Sequence, residues 1–444
     1  MNYVPIDSVA SSASPIKDDR PRIFRRRTFA EASTGRRPPS SRATSPRPIP
    51  VEIAFLLDHG VPEQALQFAA ATARRQGVCA DEALVAEGLV SEDEFYRALA
   101  KHLQVDFIDS PIEVCPSGIS TAECGYARVR EASKGFLWLF SPSGSGVFRL
   151  MSARRAAKGR PLFAITTRTR FLEAVRRADP ANAARNAAFL IERIDSDLCA
   201  RGGLRRRQVG LLLAAVIGLA ASLYAPFFFL HVASASLLAS AFFCGVFLRL
   251  FACAASFQPC KDVAPLESDA RLPIYTVVVA LYQEAAVARQ LARAIDRLDY
   301  PRAKLDVKFV IEADDGETAA ALQAHPPRAP HEIVIAPEGA PRTKPRALNV
   351  AMPLARGSLV SVFDAEDLPE PRQLRRAATL FAKLPANVAC LQASLSIDNG
   401  DLNWMTAMFA LEYAALFDVY NRGLAAMGLP LFLGGTSNHF RGIR

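Results

Sequence analysis

Residues 358–371 read SLVSVFDAEDLPEP, an apolar run that stops on Asp364, Glu366 and Asp367. Carboxylates at the end of a buried strand must be solvated in a turn or hold something positive. Two other runs end in the same way. YTVVVALY (275–282) leads into Gln283 and Glu284, and LDVKFVIEADD (305–315) brings Asp314 and Asp315 up to Gly316. No His or Cys accompanies them, so the donor set is hard oxygen and suits Mg2+ or Mn2+. Such an ion keeps positions open for substrate phosphates. A D-x-D-like spacing alone is an ordinary acidic turn; it gains weight here because acidic groups recur at strand ends.

The elements that position these groups alternate. EAAVARQLARAIDRL, GETAAALQA and ALNVAMPLA have helical patterns, and HEIVIAPE supplies a further strand. Continuous apolar strands separated by helices argue a parallel sheet covered on both faces. Ligands of such sheets sit at the carboxyl ends of the strands. The fold class expected for 270–444 is therefore α/β.

Taken in order, VVVALYQEAAV, VIEADDGET, KPRALNVAM, FDAEDLPEP, LQASLSI and FLGGTSNHF resemble the membrane-bound family-2 glycosyltransferases of the GT-A (Rossmann-like) fold, the branch that includes bacterial cellulose synthase. The resemblance covers about 272–440. It implies an inverting, metal-dependent hexosyltransferase that moves a sugar from a nucleotide-sugar donor, a UDP-sugar, to a glycan or other acceptor in polysaccharide synthesis. It also implies roles for single residues. Tyr282 and Glu284 match the nucleotide-facing end of the first strand, Asp314 the contact to uracil, and Lys344 a contact to the diphosphate. Asp364 lies near the sugar phosphate, and Asp364 and Glu366 match the D-x-D ligands of Mn2+ or Mg2+. Glu stands where the family has its second Asp, which makes Asp367 a further candidate ligand. Gly435, Thr436 and Ser437 match the acceptor-side segment. The family's general base belongs to a Thr-Glu-Asp motif beyond GTSNHF, and a later Q-x-x-R-W motif closes over the acceptor. Neither occurs up to Arg444, so the expectation is a donor-binding half with no catalytic base assigned. A catalytically silent membrane scaffold derived from such an enzyme stays open beside the transferase.

Residues 1–50 are rich in Arg, Pro and Ser and too poor in apolar surface to offset chain entropy, so a disordered basic tail is expected. Its Arg25-Arg26-Arg27 and Arg36-Arg37 could touch anionic membrane lipid. A small α+β domain is expected at 51–190. In PEQALQFAAATARRQG, Ala65, Phe68, Ala69 and Thr72 share a helical face; Gly88 suits a helix end, and Ser91 with Glu94 forms a capping box. LVAEGLVSEDEFYRALAKHL and VDFID resemble the N-terminal domain of type II secretion and pilus-assembly ATPases. Some such domains bind cyclic di-GMP. Arg75 and Gly77 fall near their Arg-x-Gly, with Gln76 where Leu is expected. The implied partner of this domain is a protein or cyclic di-GMP.

Residues 208–257 hold one Arg and one His. Each half has about 20 residues, enough to cross a bilayer; the expected division is 209–230 and 232–255, a transmembrane hairpin turning near Pro226 to His231. Arg205-Arg206-Arg207 mark the cytoplasmic side by the positive-inside rule, and Arg249 can snorkel. Two crossings leave both flanks cytoplasmic at a bacterial inner membrane. The net charge of +9 then belongs to the tail and the membrane flanks, which excludes nucleic acid as the favoured partner. Eight scattered cysteines without a C-x-x-C pair argue against a disulfide framework or a zinc site. Trp404, in DLNWMTAMFALEYAALF, reads as the core of an amphipathic helix ahead of a sugar platform.

Overall fold

The structure, a computed structural model, describes residues 48–115, 124–130, 135–157, 159, 161–196, 199, 203–224, 228–257 and 267–442. The expectation of a basic tail, apart from 48–50, lies outside the described residues, as does Pro226.

Near the N-terminus, β1 (Tyr126–Arg128) pairs antiparallel with β2 (Trp138–Phe140), and β2 runs parallel to β3 (Phe163–Ile165). Helices pack around this small sheet. The Ser91 capping box forms as expected: Ser91 Oγ accepts from Glu94 N at 3.2 Å, and Ser91 N donates to the Glu94 carboxylate at 2.9 Å. Gly88 takes a φ of +69° after the helix Ala80–Ala86. The face of the helix Glu63–Gln76 differs from expectation. Leu66, Ala69 and Ala73 are buried, whereas Phe68 is 51% exposed. Small side chains on the inner face let the helix Ala80–Ala86 pack closely against it, and the bulky ring is turned outward.

Six strands form the larger sheet: β4 (Tyr275–Leu281), β5 (Leu305–Glu312), β6 (His331–Ala336), β7 (Leu359–Phe363), β8 (Cys390–Gln392) and β9 (Asn438–Arg441). Their order is β6-β5-β4-β7-β9-β8, with β6, β5, β4 and β7 parallel and β9 antiparallel to both its neighbours. This mixed α/β core is consistent with a GT-A-like fold. β5 is buried at every position, as a central strand covered on both faces must be. On one face, Val277, Val279, Val307 and Phe309 pack with the helices Ala288–Asp296 and Gln373–Lys383.

The other face carries Val278, Val310, Val334 and Val360. These join a single apolar cluster with Ala347 and Ala351 of the helix Lys344–Ala351 and with Leu139, Phe171 and Leu172 of the N-terminal region. The N-terminal region is thus part of the sheet's second covering layer. Charged residues on the same face form a buried network. Lys308 Nζ lies 3.0 Å from Asp306 and 2.7 Å from Glu332, Arg176 also pairs with Glu332, and Asp306 accepts from Thr276 Oγ1 at 2.9 Å. Burial alone would lower the Lys308 pKa, but the charges of Asp306 and Glu332 outweigh it and hold the ammonium above its ordinary range. A second contact is helical: Asn349 Nδ2 donates to the Ala187 carbonyl at 2.8 Å, from Lys344–Ala351 to the helix Pro180–Ile194.

The apolar segment forms two helices, Arg206–Tyr224 and Phe228–Ser256. Among the described residues, Phe228–Ser256 is the one helix long and apolar enough to cross a membrane, with 29 residues and only Ala252 and Ser256 buried. It begins at Phe228 and contains His231, so the helix break falls earlier than the far end of the expected turn. Its last turns pack on the helix Asn421–Ala426, where a Cβ on Gly423 would lie 1.9 Å from the Ala252 carbonyl. Trp404 contradicts its expected place in a core, being 75% exposed.

Replacing Lys308 with Met leaves Asp306 and Glu332 as buried, partly unpaired carboxylates. We expect a loss of about 3–5 kcal/mol, measured as a lowered denaturant midpoint of the detergent-solubilised chain. A loss below about 1 kcal/mol would mean that the network is solvated.

Candidate active site

β4, β5 and β7 run parallel and in register, with Leu281 beside Ile311 and Val279 beside Phe363. All three acidic clusters therefore emerge at one end of the sheet. The turn after β4 is held from β5. Gln283, a non-glycine residue at φ +57°, donates its N–H to Asp315 Oδ2 at 2.6 Å, and Glu284 N donates to Thr318 Oγ1 at 3.0 Å. A left-handed backbone at such a residue is strained and persists where surrounding bonds over-determine it. Asp315 also caps the helix Gly316–Ala324, accepting from Thr318 N at 3.1 Å. Burial raises its pKa, but the hydrogen bonds from Gln283 and Thr318 outweigh it and keep the carboxylate below its ordinary range. Asp315, grouped in the sequence with the acidic strand ends, is a positioning residue here; the signal for that role was the Asp-x-x-Thr spacing of an N-cap.

Lys344 is the first residue of its helix. Its ammonium pairs with Asp364 and donates to the Gly435 carbonyl at 3.2 Å. Asp364 N donates to Asp367 Oδ2 at 2.8 Å and to Thr436 Oγ1 at 3.0 Å, while the Thr436 hydroxyl donates to Asp367. Lys344, Asp364, Asp367, Gly435 and Thr436 are thus one hydrogen-bonded set. Ser437 joins it only through the backbone: at φ +54° it donates its N–H to the Val362 carbonyl at 2.8 Å. Glu366 is exposed at the edge of the set.

The field there is negative. Burial, then the charge of Glu366, raises the Glu284 pKa, and Glu284 Oε2 is buried without a hydrogen-bond partner. Burial also raises Asp367, with the Thr436 hydrogen bond opposing it. Lys344 is lowered by burial, against the pull of Asp367, Glu366 and Glu284. Tyr282 and Asp314 stand at the rim with Arg342, which sequence reasoning missed. Arg342 Nη1 is 2.9 Å from Asp314, and its guanidinium lies 5.7 Å from the centre of the Tyr282 ring. The only signal for Arg342 was its place two residues before Lys344.

Among the described residues, no three His, Cys, Asp or Glu side chains gather into a ready metal cage. Asp364 and Glu366 still fit a divalent cation in partial coordination, because their oxygens are hard donors and the orphaned Glu284 Oε2 lies in the field of Glu366, although Asp364 Oδ1 is paired with Lys344. Asp367 fits less well, since its Oδ2 already holds Asp364 N and Thr436.

Residues 273–426, about a third of the chain, match the family model described as glycosyltransferase like family 2. Beta-monoglucosyldiacylglycerol synthase of Trichormus variabilis is 28% identical over 142 residues, 32% of this chain and 30% of that protein. The match thus spans less than a third of this relative's length. A mannosyltransferase, PcManGT from Pyrobaculum calidifontis, in complex with GDP-Man and Mn2+, is 29% identical over 36% of this chain and 46% of its own, with a TM-score of 0.31. A structure of MshE with cdg is 17% identical over 29% of this chain and 97% of its own, with a TM-score of 0.22. Neither score establishes a shared fold.

The raised Glu284 pKa has a definite sign. Its contribution to stability is present below the unfolded-state value and is lost as pH rises through the folded value. Glu284→Gln should therefore match the parent chain in thermal melts near about pH 4 and melt higher near about pH 8. An equal shift at both pH values would show that the effect is not ionisation.

Proposed function

We propose that the chain transfers a sugar from a nucleotide-sugar donor, a UDP-sugar, to an acceptor, with inversion and with dependence on Mn2+ or Mg2+. The observation that carries this reading is the hydrogen-bonded set of Lys344, Asp364, Asp367 and Thr436 at the carboxyl end of β7. Tyr282 packs on the donor base and Asp314 accepts from it. Lys344 turns from Asp364 to the diphosphate. A divalent cation held by Asp364 and Glu366 would neutralise charge developing on the diphosphate as the glycosidic bond breaks. Glu284 keeps the field negative enough to hold that charge, and Asp367 fixes Thr436 and the turn through Asp364 N. Gly435, Thr436 and Ser437 line the acceptor side. The acceptor hydroxyl attacks opposite the diphosphate, giving a β-linkage from an α-linked donor, and its proton passes to a base not assigned among these residues.

We further propose that Arg206–Tyr224 and Phe228–Ser256 form a transmembrane hairpin at a bacterial inner membrane, with both flanks cytoplasmic and a polysaccharide as product. The Trichormus relative is named for a glucosylated diacylglycerol, so a lipid acceptor is the competing class. Calorimetry of UDP binding to the purified chain tests the donor site. Binding should require Mn2+ and weaken by about tenfold or more in Asp364→Ala, a change of at least about 1.4 kcal/mol. Manganese-independent or absent binding would favour the silent scaffold.

A second reading, a nucleotide-responsive interaction protein, draws on the packing of Pro180–Ile194 against the helix that begins at Lys344. Arg75 is exposed, and Gly77, at φ +66°, lies so close to Ala270 that an added Cβ would meet its carbonyl oxygen at 2.9 Å. Cyclic di-GMP titrated into the chain should give binding heat that is lost in Arg75→Ala. No heat in the parent chain would remove this reading.

A further inference from the structure

The donor site proposed above has two halves, and both depend on one stretch of chain. Tyr282 and Asp314 mark the base side, where Arg342 pairs with Asp314 at 2.9 Å. Lys344 and Asp364 mark the diphosphate side. Arg342 and Lys344 lie two residues apart, on the segment that leaves β6 and enters the helix Lys344–Ala351. Whatever fixes that segment fixes both halves at once.

The sheet domain supplies one wall. Arg346, 2% exposed, donates from Nη1 to the Pro337 carbonyl at 2.9 Å and from Nη2 to Glu312 Oε2 at 2.7 Å. Glu312 ends β5, so the guanidinium ties the start of the segment to the strand that leads to Asp314. The other wall is the helix Pro180–Ile194 of the N-terminal region. Its buried residues are Ala184 and Ala187, one turn apart, and side chains this small set a short distance between packed helices. Ala184 reaches the segment itself. A Cβ built on Gly339 would lie 3.2 Å from Ala184 Cβ and 2.8 Å from Arg346 Nη1. Gly339 is closed in between the two walls, and the guanidinium on one side is pinned by its bonds to Pro337 and Glu312. Ala187 reaches the helix instead: its carbonyl accepts from Asn349 Nδ2 at 2.8 Å.

We infer that the helix Pro180–Ile194 positions the donor site from outside it. Ala184 acts on Arg342 through Gly339, and Ala187 acts on Lys344 through Asn349, so the docking of the N-terminal region sets the affinity for a nucleoside diphosphate. Ala184, Ala187, Gly339 and Asn349 are positioning residues; none belongs to the hydrogen-bonded set of the site. Such coupling is reciprocal, so donor binding strengthens the docking by the same factor. A partner that draws this helix away lowers donor affinity. The inference rests on the donor-site reading and needs no nucleotide at Arg75 and Gly77.

Asn349→Ala keeps a good helix former and removes the hydrogen bond to Ala187. Calorimetry of UDP with Mn2+ on the full chain should show binding weakened about threefold to tenfold. In a Lys344→Met background the same substitution should add almost no further loss, because the group it acts through is gone. Ala184→Leu, whose bulk presses on Gly339, should behave in the same way against Arg342→Ala, and this pair carries the test where Lys344→Met abolishes binding. Amide hydrogen exchange across 180–194 should slow when UDP and Mn2+ are added to the parent chain, and slow less in Asn349→Ala. Equal losses with and without Lys344 or Arg342 would mean a general effect on the fold. Unchanged affinity in both Asn349→Ala and Ala184→Leu would mean that the helix only covers the sheet. Either result overturns the inference while UDP binding by the parent chain, lost in Asp364→Ala, still stands. A parent chain that binds no UDP removes the donor-site reading and the inference together.

Discussion

The ammonium of Lys344 lies among Glu284, Asp364, Glu366 and Asp367, and the surrounding structure keeps it there. Burial lowers its pKa while the carboxylates pull the other way, so the charge is held by geometry more than by solvation. At ~4 Å separation each opposite pair is worth a few kcal/mol in a partly screened environment, but an excess of carboxylates is left over. Such a field repels a bare diphosphate. It could accept one only with added positive charge.

Keeping Lys344 in place takes two layers. Its helix rests on β4 and β5 from one side, and the helix Pro180–Ile194 rests on it from the other. The N-terminal region therefore touches the candidate active site through a single intervening helix. The Lys308 network beneath carries the same message, since Arg176 comes from the N-terminal region and Glu332 from β6. Buried ion pairs of this kind contribute little net stability against apolar replacements. What they supply is register, because a shifted interface would strand several charges at once.

Much of the larger sheet was legible in the sequence because its central strands are buried on both faces and read as continuous apolar runs. GETAAALQA was a helix over the residues expected, 316–324. β8 and β9 were not legible as strands. They have three and four residues, and β9 reads NHFR. That polar string is a strand only because of what surrounds it. His439 is fully buried, its pKa pushed down to about 3 by burial, with its ring nitrogens 2.6 Å from the Tyr275 hydroxyl and 3.1 Å from Gln373 Nε2. No local pattern encodes partners so far away along the chain. Phe68 and Trp404 failed for another reason: periodicity identifies a helix face but not the thing that covers it. Of the site, Lys344, Asp364, Asp367 and Thr436 meet as a set, whereas Asp315 and Arg342 act on neighbours through contacts that only folding creates.

The helical course from Trp404 to Ala426 joins two environments that impose opposite demands. At one end an apolar helix seeks a cover; at the other, Asn421 Nδ2 donates to the Phe432 carbonyl at 2.9 Å and Gly423 lets the backbone meet Ala252. A side chain at Gly423 would separate the long apolar helix from the sheet domain, since the clash is with backbone and cannot be relieved by a rotamer. Leu424 is buried close by, and Gln392 ties the same region to the active-site strand by accepting from Gly434 N at 2.8 Å and donating to the Thr436 carbonyl at 3.1 Å. Any tilt of the long helix must therefore be transmitted to Gly435 and Thr436 or break these bonds. The packing of the long apolar helix and the geometry of the candidate active site are mechanically one problem in this chain, and Gly423 is the point where a single atom decides it.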